Sequence, residues 1–195
     1  MQGTAEQHVH SAHRAEFFRS WLHDPFGVAS IAPSGRALAR TMAAGIGPGA
    51  RVIELGAGTG TLTEALLVNG VAPQHLHLVE RNPRFVRILR QRFPELCVHA
   101  IDAAQLAMHF DACRGQFDFV VSGLPIVWFR QTLKRAILGG AFELLTPGGR
   151  FHQFTYLGRP PIESRILDEL GLEAIFAGFV PLNFPPGFVY RFQRA

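Results

Sequence analysis

Cysteine and lysine are both scarce in this chain of 195 residues. The two cysteines, Cys97 and Cys113, do not form a Cys-x-x-Cys pair, and the N-terminal segment lacks the apolar core of a secretory signal, which favours a reducing cytoplasm. Lys134 is the only lysine, so the formal charge of +4 comes almost wholly from arginine. Arginine suits anionic partners such as a nucleic acid or an anionic membrane, although an excess of this size is equally common in proteins that bind neither.

A hydrophobic run long enough to cross a bilayer is also absent. The most apolar stretch, FDFVVSGLPIVWF, is shorter than a bilayer span and is interrupted by Asp118, Gly123 and Pro125. No cysteine or acidic residue stands at a zinc-like spacing from the N-terminal histidines, so no metal is expected. A hydrophobic content of 48% and a charged content of 17% describe a globular protein whose length allows one domain with a full core.

Three regions follow one another along the chain. Residues 1–12 are polar and histidine-rich and are predicted to be a disordered tail, and residues 13–48 form an N-terminal helical segment. Its first helix, at about 13–23, is amphipathic, and its second is expected to begin at the N-cap Ser34. Residues 49–195 form the main domain. The amphipathic helix presents one apolar side, formed by Phe17, Phe18, Trp21 and Leu22.

The main domain shows strand-like runs that alternate with helical stretches, a pattern typical of βαβ units and a parallel sheet. The runs are RVIELG, LHLVER, LCVHAI, FDFVVS and RFHQFTY, with helices expected at about 61–69, 83–92, 103–110 and 131–145. The final segments, LEAIFAGFVPL and GFVYRFQRA, predict two strands joined by a hairpin. The expected fold is therefore α/β and Rossmann-like, with seven strands, mostly parallel, and a C-terminal antiparallel hairpin.

The segment VIELGAGTGTL places a glycine-rich loop between the first strand and its helix. Gly56, Gly58 and Gly60 let the backbone approach a ligand closely. The spacing GxGxG differs from the GxGxxG of dinucleotide-binding loops, and Glu54, two residues before the first glycine, would repel a phosphate and suit a ligand with a positive end.

The sequence ELGAGTG resembles the first motif of class I methyltransferases, and the resemblance implies that S-adenosylmethionine binds on this loop. An acid is then expected at the end of the second strand, about 20 residues downstream, to hold the two ribose hydroxyls, and Glu80 stands there. Asp102 at the end of the third strand corresponds to the acid that meets the adenine amine, and it could equally cap the next helix. The predicted cofactor-binding set is Glu54, Gly56, Gly58, Gly60, Glu80, Arg81, Asp102, Ala103, Ser122 and Ser34.

Two branches of these enzymes share the central motifs. Ribosomal RNA adenine dimethylases end the fourth strand in an Asn-Leu-Pro-Tyr-like motif, whereas this chain reads VVSGLP and is expected to lack their helical domain. Bacterial phospholipid N-methyltransferases, which convert phosphatidylethanolamine to phosphatidylcholine, are similar over most of the chain. The discriminating segments are FFRSWLHDPFGVASIAPSGRALARTM and GGRFHQFTYLGRPP.

The resemblance implies N-methylation of phosphatidylethanolamine, and of its mono- and dimethyl derivatives, at the inner face of the cell membrane. Tyr156 is the first candidate to position the amine and to face the growing quaternary cation, while the Ser122 loop would supply oxygen acceptors. Leu124 would line the acceptor site, and Arg36, His152 and Arg159 are candidates for the lipid phosphate.

The side formed by Phe17, Phe18, Trp21 and Leu22 would lie in an anionic membrane surface, or else pack on the protein's own core. The enzyme is expected to be a peripheral, cytoplasmic monomer that binds no nucleic acid. The series Arg81, Arg84, Arg87, Arg90 and Arg92 is interpreted as the solvated face of a helix. The remaining alternatives are an RNA adenine methyltransferase and a noncatalytic module that binds the cofactor or a lipid.

Overall fold

A computed structural model describes residues 33–181 and 185–195, with side chains from Gly35 onward. The predicted tail and the helix that carries Phe17, Phe18, Trp21 and Leu22 lie outside the described residues. The strands are β1 (Val52–Leu55), β2 (Leu76–Val79), β3 (Cys97–His99), β4 (Phe117–Ser122), β5 (Leu145–Thr155), β6 (Leu172–Val180) and β7 (Gly187–Arg194). The helices are α1 (Pro33–Met42), α2 (Thr61–Val68), α3 (Pro83–Arg92), α4 (Leu106–His109), α5 (Gln131–Leu144) and α6 (Ser164–Leu170).

The seven strands found among the described residues belong to one sheet in the order β3-β2-β1-β4-β5-β7-β6. The first five strands run parallel, whereas β7 is inserted antiparallel between β5 and β6. The chain winds outward from β1 in one direction and from β4 in the other, so the strand order reverses between these two neighbours. Open α/β sheets bind ligands at the carboxyl edge beside such a reversal. The predicted fold class, including its C-terminal hairpin, is confirmed.

The sheet separates two apolar layers because successive side chains of a strand point to opposite faces. Ile53 of β1 packs with residues of α4, α5 and α6, and this side is called the α5 face. Val52, its neighbour, packs with residues of α1, α2 and α3, and this side is called the α2 face. The helix that begins near Ser34 is thus part of the α2 layer in its described portion.

Two local features differ from the sequence prediction. Helix α6 was not anticipated, because it is only 7 residues long and follows a proline-rich turn. The segment TPGG stands before the predicted strand RFHQFTY, but in the structure it lies inside β5, where the register with β4 shifts: Phe117 pairs with Leu145, whereas Phe119 pairs with Arg150. Among the residues described, no helix has the length and apolar character needed to cross a membrane.

Candidate functional site

The loop between β1 and α2 is built on three glycines in the left-handed region, with φ of 69° at Gly56, 55° at Gly58 and 88° at Gly60. Other L-residues adopt this conformation only with strain. The Gly56 amide donates to the carbonyl of Val79 at 2.8 Å, which fixes the loop against the end of β2. The three glycines carry no side chain, so at these positions the loop brings bare backbone to the carboxyl edge of the sheet.

Glu80 lies just past the end of β2, as the sequence predicted, and is only 8% exposed. Its Oε2 accepts a hydrogen bond from the Gly58 amide at 3.0 Å, and its Oε1 accepts one from the Asn82 amide at 2.7 Å. The carboxylate therefore joins the loops after β1 and β2. A carboxylate has about four lone-pair sites, so two remain for a pair of ribose hydroxyls. The glycine cradle and this acid fit the adenosyl part of S-adenosylmethionine.

Asp102 follows β3 and fills one of its two predicted roles, that of a cap. Its Oδ1 accepts from the Ala104 amide at 2.9 Å, which caps the turn before α4, and its Oδ2 pairs with Arg81 at 3.1 Å. Ala103 is buried beside it. The side chain of Asp102 remains 40% exposed, so it is open to an adenine amine, which stays its predicted partner.

Glu54 is buried behind the glycine loop, with only 1% of its surface exposed. Its Oε2 accepts a hydrogen bond from the Thr63 hydroxyl, on α2, at 2.7 Å. Burial raises the pKa of Glu54 to about 8, the Thr63 hydrogen bond opposes that rise, and the nearby charge of Glu80 adds to it. The described contacts of Glu54 are structural, and its attraction to a positive ligand stays a prediction.

The raised pKa of Glu54 predicts a specific pH dependence of stability. Between its ordinary value of 4.5 and about 8 the native carboxyl keeps a proton that the unfolded chain releases. The free energy of unfolding therefore falls as pH rises through this window. We expect Glu54→Gln to lose this dependence, so that its melting temperature relative to the parent chain increases from pH 5 to pH 8.5. The exposed Glu95→Gln serves as the control, and parallel curves for Glu54→Gln and the parent would contradict the prediction.

The turn after β4, residues 122–125, closes over the glycine loop. Leu124 packs so tightly on Gly56 that a Cβ at Gly56 would lie 2.6 Å from the Leu124 Cδ2 atom. Ser122 is fully buried, and its hydroxyl accepts a hydrogen bond from the Leu124 amide at 3.3 Å. The hydroxyl of Ser122 therefore stabilises the turn through an internal hydrogen bond. Contact of this loop with the acceptor and the cofactor stays a prediction.

Gln153 is a residue that the sequence interpretation missed. It lies on β5 directly opposite Ser122, is fully buried, and donates from Nε2 to the Leu124 carbonyl at 2.8 Å and to the Phe154 carbonyl at 2.9 Å. Its Oε1 atom is buried and accepts no hydrogen bond from the described residues. A glutamine inside the apolar run RFHQFTY was the one available signal, because a buried amide requires a polar partner.

The predicted substrate residues have different positions. Tyr156 follows β5, is half-buried and meets Phe154 edge to face with 5.5 Å between ring centroids. Arg36 on α1 and Arg159 beyond β5 are exposed. His152 is buried, and its Nδ1 donates to the Met42 carbonyl at 2.9 Å, so its predicted contact with a lipid phosphate is wrong. Helix α1 begins at Pro33, so Ser34 lies in its first turn and is not the predicted N-cap, and its side chain lies outside the described set.

Comparisons with known proteins agree with this geometry. A family model described as a methyltransferase domain matches residues 52–149. The chain is also 37% identical over 171 residues to the ornithine lipid N-methyltransferase of Singulisphaera acidiphila, a match that covers 84% of this chain and 86% of that protein.

Solved structures share the fold at lower identity. The 1,6-didemethyltoxoflavin-N1-methyltransferase of Burkholderia thailandensis has a TM-score of 0.67 and 20% identity, over 96% of this chain and 89% of that chain. The magnesium protoporphyrin IX methyltransferase of Synechocystis has a TM-score of 0.64 and 17% identity, over 83% of this chain and 80% of that chain. The chain belongs to the class I S-adenosylmethionine-dependent methyltransferases, and S-adenosylmethionine is its cofactor.

Proposed function

We propose that this enzyme methylates the amine of a membrane aminolipid, with phosphatidylethanolamine as the acceptor. The observation that carries the proposal is the 37% identity to a lipid N-methyltransferase, which extends over 86% of that relative. Ornithine lipid, the acceptor in the name of that relative, is the competing aminolipid. Both molecules present an amine close to a lipid surface, so the acceptor site has the same chemical task in either case.

Methylation of an amine depends more on the orientation of the amine toward the methyl group than on a side chain that acts as a general base. S-adenosylmethionine, when bound, would supply an electrophilic methyl group to a neutral amine attacking in line. The carbon–sulfur bond would break as the carbon–nitrogen bond forms, which leaves S-adenosylhomocysteine, and the methylated ammonium would release a proton to water before each further methylation. The protein must hold the amine in its uncharged form and exclude water from it. Removal of an amine from water lowers its pKa, which favours the neutral nucleophile.

The turn at residues 122–125 supports this role because it is uncharged and rigid. The side-chain amide of Gln153 donates a hydrogen bond to the Leu124 carbonyl, and the Ser122 hydroxyl accepts one from the Leu124 amide. Preorganised backbone of this kind can accept hydrogen bonds from an amine without adding a charge that would stabilise the ammonium form. We assign Ser122 and Gln153 to positioning the turn beside the methyl group.

Tyr156 is proposed to line the head-group site, where the product becomes a quaternary cation that an aromatic face attracts. We expect Tyr156→Ala to lower turnover of the dimethylated lipid by about tenfold, the value of a partly desolvated cation-π contact, while Tyr156→Phe retains most of it. The buried Tyr190→Phe is the control. Full turnover in both Tyr156 variants, measured on lipid vesicles, would refute the assignment.

The location follows from the substrate. We propose a peripheral enzyme on the cytoplasmic face of the cell membrane, where the segment with Phe17, Phe18, Trp21 and Leu22 contributes to binding an anionic surface. Arg36 and Arg159 are the remaining candidates for contact with the lipid phosphate, since both side chains are exposed cations.

The test follows a labelled methyl group. Purified protein is incubated with methyl-labelled S-adenosylmethionine and one of three acceptors: vesicles of phosphatidylethanolamine with anionic lipid, vesicles of ornithine lipid with the same anionic lipid, or unmodified ribosomal RNA. Label in phosphatidylethanolamine supports the proposal, and label in ornithine lipid alone changes the acceptor. Label in RNA would make the enzyme an adenine methyltransferase, and label in none of the three, with cofactor still bound, would indicate another acceptor or a binding module.

A further inference from the structure

Four large apolar side chains are exposed near β6, β7 and the turn at residues 122–125, which is called the active-site turn. Phe176 is 55% exposed, Phe179 is 49%, Trp128 is 57% and Leu157 is 37%. Phe179 packs on Phe188 with 4.9 Å between ring centroids, and Phe176 meets Tyr190 edge to face at 5.8 Å. A single exposed apolar residue is ordinary, but an exposed aromatic pair at a sheet edge marks an interaction surface. These four residues are called the aromatic edge.

The register places the aromatic edge level with the active-site turn. Ser122 pairs with Gln153, Gln153 with Tyr190, and Tyr190 with Phe176, so these residues form one row across four adjacent strands. Three strand spacings separate Phe176 from Ser122, which is about 14 Å. Phe179 lies farther toward the carboxyl edge, because it pairs with Phe188, which pairs with Thr155.

The remaining two members flank the same edge. Trp128 belongs to the turn that follows β4 and leads into α5, and Leu157 belongs to the loop that follows β5. Phe188, the partner of Phe179, lies beside Gly158, next to Leu157 in the chain, since a Cβ at Gly158 would be 3.7 Å from the Phe188 ring. The loop that leaves β5 thus meets Phe188 at the carboxyl edge, and the turn that leaves β4 starts from the same edge.

The segments that carry the aromatic edge hold cations and no acid, and the acids that flank them are Glu163, which pairs with Lys134, and Glu173, which accepts a hydrogen bond from Gln193. Among the described residues, the segments 123–131, 156–162, 174–181 and 185–190 contain two cations, Arg130 and Arg159, and no aspartate or glutamate. Both arginines are exposed. Exposed aromatic and apolar side chains beside arginines suit the interface of an anionic bilayer, where rings enter the head-group region and cations meet lipid phosphates.

We propose that the aromatic edge docks on an anionic lipid bilayer and so presents a lipid head group to the turn at residues 122–125. The aromatic edge is distinct from the N-terminal segment that contains Phe17 and Trp21. It is formed by β6, β7 and the loops after β4 and β5. The presentation of a lipid head group rests on the proposed function, because it requires that the enzyme acts on a lipid. Binding of the aromatic edge to a bilayer can be measured separately from methyl transfer.

The experiment compares two double variants of the full chain. Phe176→Ser/Phe179→Ser removes the exposed pair, and Val68→Ser/Met108→Ser is the control, because Val68 and Met108 are 81% and 72% exposed on α2 and α4, outside the aromatic edge. Sedimentation with vesicles of equal phosphatidylcholine and phosphatidylglycerol measures binding. The first variant is expected to bind about tenfold more weakly than the parent chain, from the apolar area that it can no longer bury, and the control as tightly as the parent.

A second measurement keeps the proposal testable if the Phe176→Ser/Phe179→Ser variant fails to fold. In a Trp21→Phe chain, Trp128 is the only tryptophan, and bromine-labelled lipids in the same vesicles should quench its fluorescence. Unchanged binding of the folded Phe176→Ser/Phe179→Ser variant, absence of quenching in the Trp21→Phe chain that sediments with the vesicles, or no binding of the parent chain would each overturn the proposal. A parent chain that light scattering shows to be a dimer, and that becomes monomeric when Phe176 and Phe179 are replaced, would assign the edge to self-association instead. If the Phe176→Ser/Phe179→Ser variant loses vesicle binding but the parent chain methylates none of the tested lipids, the docking surface is supported and only the proposed function is refuted.

Discussion

Replacement of Glu80 by alanine will weaken the binding of S-adenosylmethionine by about two to four orders of magnitude. Two ribose hydroxyls would donate to one carboxylate, and each hydrogen bond to a charged group contributes about 1.5–3 kcal/mol. The loss of both therefore costs about 3–6 kcal/mol, and each 1.4 kcal/mol changes affinity tenfold. The same substitution removes the acceptor of the Gly58 and Asn82 amides, so it also loosens the loop that forms the cradle.

Isothermal titration calorimetry with S-adenosylmethionine measures this loss directly. Glu80→Gln separates the two contributions, because the amide oxygen can still accept from one backbone amide while the negative charge is gone. We expect its affinity to fall between those of the parent chain and Glu80→Ala. Glu95→Ala, at an exposed glutamate, should bind like the parent. An affinity for Glu80→Ala within threefold of the parent would exclude Glu80 from the ribose site.

The positions of the cofactor residues could be predicted because parallel strands end at one edge. Once the glycine loop was assigned to the end of β1, the ends of β2 and β3 had to lie beside it, and Glu80 and Asp102 stand there. Alternation of strands and helices likewise indicated the sheet, since buried parallel strands are short apolar runs. These predictions combined local patterns, one topological rule and the resemblance to the first methyltransferase motif, and they required no knowledge of side-chain contacts.

The support behind the site could not be predicted in the same way. Gln153 and Leu124 are 29 residues apart, and their hydrogen bond depends on the pairing of β4 with β5. Burial of Glu54 is set by the packing of α2 on the sheet, which brings Thr63 to its carboxyl group. Sequence periodicity indicates which face of an element is apolar, but it does not identify the partner of a polar side chain on that face.

A methyl group added at Gly60 tests how tightly the loop is held. A Cβ at Gly60 would lie 2.4 Å from Cε2 of the buried Phe93 ring and 3.2 Å from Cδ2 of Leu89, at a φ of 88°. Left-handed backbone costs an L-residue about 1–2 kcal/mol, and overpacking of a core costs about 1–3 kcal/mol. Gly60→Ala should therefore lower the free energy of unfolding by about 2–5 kcal/mol.

Gly45→Ala isolates the contribution of backbone strain. Its φ of 77° imposes a similar backbone strain, but a Cβ there would meet nothing within 4 Å. Urea unfolding should show a loss of only about 1–2 kcal/mol for Gly45→Ala, with cofactor affinity unchanged, since this glycine lies before β1 and away from the cradle. Gly60→Ala should lose more stability and also bind S-adenosylmethionine more weakly, because Phe93 and Leu89 can yield only if α3 shifts or the loop lifts from the sheet. Equal losses of stability in the two variants would mean that the ring of Phe93 moves aside freely, and the loop would then owe its shape to backbone conformation and to Glu80 rather than to packing against α3.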